Sequence, residues 1–257
     1  MRPETSKGDK DRVRLFDDVR PDEAGKAYLP GMRRAWLMPW YDVYSAFHRA
    51  GRLHRRIVEV AGVSSGEYVL DVGCGTGNLA LTVLRMVPDA VVTGVDPDGA
   101  ALRRAARKAR RRRVGRSGRL TLVRGYADRL PAGDASLDHV ISAFALHHVP
   151  REEKERFAAE LMRVLRPGGR VTIADFGGDG EGHRHDGHHG DEHAQGGHQG
   201  HGGRRHRHEP GSQGYREDNA DGGIERLLTS AGLVDAHEVE RTTALGAEAS
   251  YVQARRP

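Results

Sequence analysis

The sequence predicts an α/β fold: a mostly parallel sheet of seven strands with helices on both faces. Two observations carry this expectation. Between Tyr68 and Ala174, short β-branched runs alternate with helical stretches, and a βαβα rhythm closes into a parallel sheet covered on both sides. The chain is also 257 residues long, enough for one α/β domain with a full core.

The elements follow in order. Met1 to Lys26 is highly charged and poor in apolar residues, so residues 1–26 read as disordered. Residues 27–62 read as a helical N-terminal segment. Tyr28, Trp36, Trp40, Tyr41, Tyr44 and Phe47 crowd its first part, and Leu53, Ile57, Val58 and Val60 give the rest a helical stripe. Tyr68–Val72 is a buried strand closed by glycines. A helix from Asn78 is stopped by Pro88, and Val91–Val95 is a second strand ending in Asp96. Asp98–Arg112 is a helix whose alanines share one stripe. Leu120–Val123 and Asp138–Ser142 are strands three and four. Glu152–Leu165 is a helix ended by Pro167-Gly168-Gly169, and Arg170–Ala174 is the fifth strand. Gly177–Gly214 interrupts the pattern with 13 glycines and 9 of the chain's 15 histidines, and without Leu, Ile, Val or an aromatic residue it has nothing with which to build a core. Gly222–Ala231 then resumes as a helix, and Val234–Arg241 with Ser250–Ala254 closes the sheet as the last two strands.

Composition bounds the function. Cys74 is the chain's one cysteine, which excludes an intrachain disulfide and a Cys-based zinc site and fits a reducing, cytoplasmic setting. The charged start has no apolar h-region, so no signal peptide is expected, and no run is long and apolar enough for a membrane span.

The strongest chemical signal is Val69-Leu70-Asp71-Val72-Gly73-Cys74-Gly75-Thr76-Gly77-Asn78. A buried strand runs into glycines at alternate positions and then into a helix. Glycines let the backbone turn sharply and approach a ligand, and the helix start offers unpaired N–H groups to a phosphate or a carboxylate. The spacing is G-x-G-x-G rather than the G-x-G-x-x-G of dinucleotide sites, and Asp71 disfavours a pyrophosphate. Asp96, ending the second strand, is placed to accept bonds from both hydroxyls of a ribose. A ribose together with a carboxylate-bearing tail points to S-adenosylmethionine more than to NAD.

With these residues in view, the chain resembles the class I methyltransferases, the broad Rossmann-like group that includes the ubiquinone/menaquinone-biosynthesis C-methyltransferases. Val69–Gly77 and Gly94-Val95-Asp96 are similar to the family's first two motifs. Gly125–Pro131, Asp138–Val149 and Leu165–Gly169 follow in family order. The resemblance implies a methyltransferase domain over residues 63–257, interrupted at 177–214, that transfers a methyl group from S-adenosylmethionine to a small molecule; the acceptor is not carried over, and the aromatic run Trp36–Phe47 would suit a lipophilic one. It further implies that Gly73, Gly75 and Gly77 pack against the methionine and ribose, that Asp71 orients the ammonium, and that Asp96 binds the ribose. Ala127 and Asp128 would bracket the adenine, and Ala143 would lie where donor meets acceptor. His147 and His148, just past the fourth strand, are the candidate bases for a carbon or oxygen acceptor.

Three features have a plain reading beside the sharper one. Arg103–Arg119 holds ten basic residues and no acid. With no interleaved aromatic for base stacking it reads as a solvated helix face, so nucleic acid is not an expected partner; an RNA methyltransferase using this stretch is the alternative. The histidine tract could take up divalent metal, and a metal-binding regulatory protein on the same fold is a further alternative, but no catalytic metal is expected. The aromatic run Trp36–Phe47 suits a lid over the acceptor or a peripheral membrane contact.

Overall fold

The computed structural model describes residues 13–18, 21–23, 40–112, 114, 118–177, 218–244 and 247–257. They form one sheet of eight strands. The strands are β1 (Arg14–Phe16), β2 (Tyr68–Val72), β3 (Val91–Asp96), β4 (Leu120–Arg124), β5 (Leu137–Ala143), β6 (Leu165–Phe176), β7 (Val234–Ala244) and β8 (Ala247–Arg255). Their spatial order is β1-β4-β3-β2-β5-β6-β8-β7. The first six in that order are parallel, and β8 and β7 close the sheet antiparallel.

The strand the sequence did not provide is β1. It lies inside residues 1–26, read above as disordered, and its presence corrects both that reading at this point and the count of seven strands. Val13 is buried, Leu15 packs on the main core, and Leu15 pairs with Leu122 on β4. An edge strand this short in a charged stretch has no periodicity of its own; it forms because β4 offers an open edge.

The helices are α1 (Trp40–Ala61), α2 (Asn78–Met86), α3 (Gly99–Arg112), α4 (Arg151–Val164) and α5 (Gly223–Ser230). Alternation along each strand sends Val69, Val92, Leu120, Leu122 and Ile141 to one face, where α1, α2 and α3 cover them with Ile57, Leu81, Val83 and Leu102. Leu70, Val72, Val140, Val171 and Ile173 point the other way, onto Phe157, Leu161 and Leu228 of α4 and α5. The parallel strands, apolar on both faces, read in sequence as continuous runs for that reason.

Strand β6 starts earlier than its sequence signal. Leu165 pairs with Leu137, the Pro167-Gly168-Gly169 turn bulges out, and regular pairing resumes at Arg170 with His139. No helix among the described residues is long and apolar enough to cross a membrane. The aromatic side chains of the suggested lid and the Gly/His-rich tract from residue 178 to 214 lie outside the described residues.

Chain order reverses beside β2. The chain goes from β2 to β3 and β4 on one side, then returns to β5 and β6 on the other. Open α/β sheets form a crevice at such a switch point, outside the carboxyl ends of the strands.

Candidate active site

The glycine loop occupies that crevice. Gly73, Gly75 and Gly77 have φ of 72°, 51° and 75°, the left-handed region that glycine enters without strain. Gly73 and Cys74 both donate to the Val95 carbonyl, at 2.9 and 3.0 Å, so the loop turns back over β3. Gly77 precedes α2 and lies against α3, where a Cβ would sit 2.9 Å from the Ala105 Cβ. At Gly73 a Cβ would sit 2.3 Å from the Ala145 Cβ, which locks the loop to the exit of β5. Gly75 differs: a Cβ there would meet nothing within 4 Å. The backbone at Gly75 faces open space.

Two carboxylates hold this loop. Asp96 accepts the Gly75 N–H through Oδ2 at 2.7 Å and the Asp98 N–H through Oδ1 at 2.9 Å. Burial raises its pKa, and these two bonds oppose the rise. Asp71 is 1 % exposed and accepts the Ala80 N–H at 2.9 Å, capping α2 from the strand below. Burial pushes the Asp71 carboxyl up to about 7; the Ala80 bond opposes this and the Asp96 charge adds to it. The contact Asp71 makes in this structure is with the helix start.

A third support had no sequence signal. Lys108 of α3 donates to the Thr76 carbonyl, the Thr76 hydroxyl and Asn78 Oδ1 at 2.9, 2.9 and 2.7 Å. In sequence Lys108 is one more cation in a basic helix, and only the packing of α3 on the loop singles it out.

The exit of β5 brings a second group together. Phe144 adopts φ 54°, rare for a residue with a Cβ, and donates its N–H to the Ala174 carbonyl at 2.8 Å. Its ring meets Phe176 with centroids 4.9 Å apart. The chain then makes a 3-10 turn, Leu146–His148. His147 is buried, and its Nδ1 lies 2.6 Å from Oδ1 of Asp175, which is fully buried. Asp175 also accepts the His147 N–H at 3.1 Å and the Phe176 N–H at 2.7 Å. Because the carboxylate only accepts, Nδ1 carries the hydrogen and Nε2 is the ring's acceptor. The His148 ring lies tilted at 44° against His147, with centroids 4.0 Å apart. Lys154 of α4 is buried behind the group, 2.8 Å from Asn219 Oδ1 and 3.6 Å from Asp218.

The structure thus unites Gly73, Gly75, Gly77, Asp96 and the β5 exit at Ala143. Ala127 and Asp128 stand in the turn after β4, where Asp128 pairs with Arg156 at 3.5 Å. Asp175 escaped the sequence reading, although an acid ending a buried strand, as Asp96 does, was the available signal. Among the described residues no group of His, Cys, Asp and Glu could hold a metal ion.

Comparison with known proteins agrees with this geometry. Residues 69–169 match the model of a methyltransferase domain family. The ubiquinone/menaquinone biosynthesis C-methyltransferase UbiE of Pseudomonas paraeruginosa is 34% identical over 140 residues, 53% of each chain. An uncharacterized methyltransferase of Geobacillus kaustophilus is 31% identical over 120 residues, 47% of this chain and 52% of its own. The chain therefore spans about half the length of the curated relatives it matches. Among solved structures, Haemonchus contortus phosphoethanolamine N-methyltransferase 2 in complex with S-adenosyl-L-methionine superposes with a TM-score of 0.59 at 18% identity, over 80% of this chain and 52% of that one. An Aquifex aeolicus SAM-dependent methyltransferase gives 0.55 at 18% identity, over 79% and 89%. At these identities the superpositions establish the Rossmann-like fold.

Proposed function

We propose that the protein transfers a methyl group from S-adenosylmethionine to a small, lipophilic acceptor with an ionisable O–H or C–H. The observation that carries this reading is the glycine loop. Open space lies beyond Gly75, where a Cβ would meet no protein atom within 4 Å, and Gly75 donates its N–H to Asp96. This donor set suits an uncharged ribose and a zwitterionic tail: carboxylate oxygens for hydroxyls and an ammonium, and helix N–H groups for a carboxylate. The relatives named above, a C-methyltransferase and a methyltransferase solved in complex with S-adenosyl-L-methionine, support the same ligand.

In this reading Asp96 takes the ribose hydroxyls, and Gly73, Gly75 and Gly77 admit the methionine and ribose. Ala127 and Asp128 flank the adenine. Asp71 acts by fixing the loop and the start of α2. When bound, S-adenosylmethionine supplies an electrophilic methyl on its sulfonium. His147, oriented through Nδ1 by Asp175, receives the acceptor's proton at Nε2 as the acceptor's oxygen or carbon takes the methyl and S-adenosylhomocysteine leaves. Phe144 and Phe176 give the acceptor side an apolar wall that excludes water. His148 packs on His147 and limits its ring to one orientation. The lone Cys74, buried and reduced, fits a cytoplasmic setting.

The test is release of S-adenosylhomocysteine from S-adenosylmethionine when phenols, quinols and enolisable ketones are offered. Turnover by the wild type that falls at least a hundredfold in Asp175→Asn, with S-adenosylmethionine still bound, supports the assignment. Turnover unchanged in that variant removes His147 and Asp175 from the chemistry.

A further inference from the structure

The outer surface of the α1–α2–α3 layer carries a charge distribution that the methyl-transfer reading does not use. Helix α3 buries Gly99, Ala101, Leu102, Ala105, Ala106 and Ala109 against the sheet. Every other position from residue 103 to 112 is Arg or Lys. Arg103 pairs with Asp17. Among the described residues, no carboxylate pairs with Arg104, Arg107, Arg110, Arg111 or Arg112.

The charge does not stop at α3. Lys108 reaches Asn78 at the start of α2, so the stripe of Arg104, Lys108 and Arg112, spaced four apart, runs along α2. Arg85, in the last turn of α2, lies close enough to Arg112 and to Arg55 of α1 that each lowers its pKa, after burial. Lys108 is pushed down to about 8 by burial, then by Arg112 and Arg85. His54 of α1 is pushed down to about 4 by burial, then by Lys108 and Arg85. Three helices therefore converge their cations on one surface, where they repel one another.

We propose that this surface docks the phosphate backbone of a nucleic acid, without reading its sequence. Its cations are overwhelmingly Arg, whose planar fork matches phosphate oxygens. Along α3 they cover about 15 Å, the 10 residues from 103 to 112 at 1.5 Å each, about four phosphate spacings of a single strand. No aromatic side chain stands among the outward positions of α3 to stack a base, so the contacts are to the backbone. An anionic bilayer fits less well. The outward positions of α3 from 103 to 112 are all Arg or Lys, so α3 itself presents no large apolar side chain to insert.

The test uses the full chain and a fluorescein-labelled, mixed-sequence 20-nucleotide RNA, with anisotropy read from 50 to 200 mM salt. The variant is Arg104→Gln, Arg107→Gln, Arg111→Gln and Arg112→Gln together, a helix-preserving change that spares Lys108. If these four each release one counterion at a slope of about 0.7, the wild type loses about fifty-fold more affinity across that salt range than the variant does. A variant with Arg226→Gln and Arg255→Gln, away from this surface, should bind as the wild type does, and thermal melts should show both variants folded. No RNA binding at 50 mM salt overturns the proposal, as does equal binding by the four-site variant. Binding to phosphatidylserine vesicles but not RNA, lost in the four-site variant, also overturns it and makes a bilayer the partner.

Discussion

Replacing Asp71 by asparagine should change how stability depends on pH. Asp71 is fully buried with one hydrogen bond, and its carboxyl stands at about 7, against 3.8 for an exposed aspartate. Because the folded value is the higher, folding favours the protonated form. The stabilisation is complete below pH 3.8 and is lost as pH rises to about 7. Each unit is worth 1.36 kcal/mol, so the full loss is about 4 kcal/mol, of which about 2.5 kcal/mol falls between pH 5 and pH 8. Asparagine does not titrate, and its side-chain oxygen can still accept the Ala80 N–H. Urea unfolding of both proteins, followed by circular dichroism at pH 5, 6, 7 and 8, should show Asp71→Asn gaining about 2.5 kcal/mol on the wild type across the series. A constant difference between the two proteins would refute the reasoning. It would mean that Asp71 is ionised in the folded state throughout, and that something other than Ala80 stabilises its charge.

The remaining predictions concern the loop and the dyad. Gly73→Ala places a Cβ 2.3 Å from that of Ala145 at φ 72°, and should cost about 2–5 kcal/mol in thermal or urea unfolding. Gly75→Ala meets no atom within 4 Å and should cost only the left-handed strain, about 1–2 kcal/mol, yet weaken S-adenosylmethionine binding at least tenfold by calorimetry. Asp175→Asn turns one carboxylate oxygen into a donor facing another donor; it should lower stability by about 1–3 kcal/mol and turnover by about 10²- to 10⁴-fold.

Much of this fold was legible because its signals are local. The parallel strands are buried on both faces and read as apolar runs, and α3 announces its inner face through alanines at helical spacing. The glycine loop was legible for the same reason: alternate glycines between a strand and a helix constrain the backbone whatever surrounds them. What the sequence did not show depends on partners distant in the chain. β1 exists because β4 has an edge to fill. Asp175 becomes notable only when β6 lies beside β5 and brings it to His147, 28 residues earlier. Lys108 is indistinguishable from its arginine neighbours until α3 packs on the loop. The resemblance has Asp71 orient the ligand's ammonium, and the structure adds that its bond is to the amino end of α2.

The central claim is that the space over Gly75 takes S-adenosylmethionine, and calorimetric titration tests it most directly. S-Adenosylmethionine should bind the wild-type chain at one site and bind Gly75→Ala at least tenfold more weakly, while NADH gives no binding to either. No binding of S-adenosylmethionine to the folded wild type, or NADH binding of equal strength, would contradict the account.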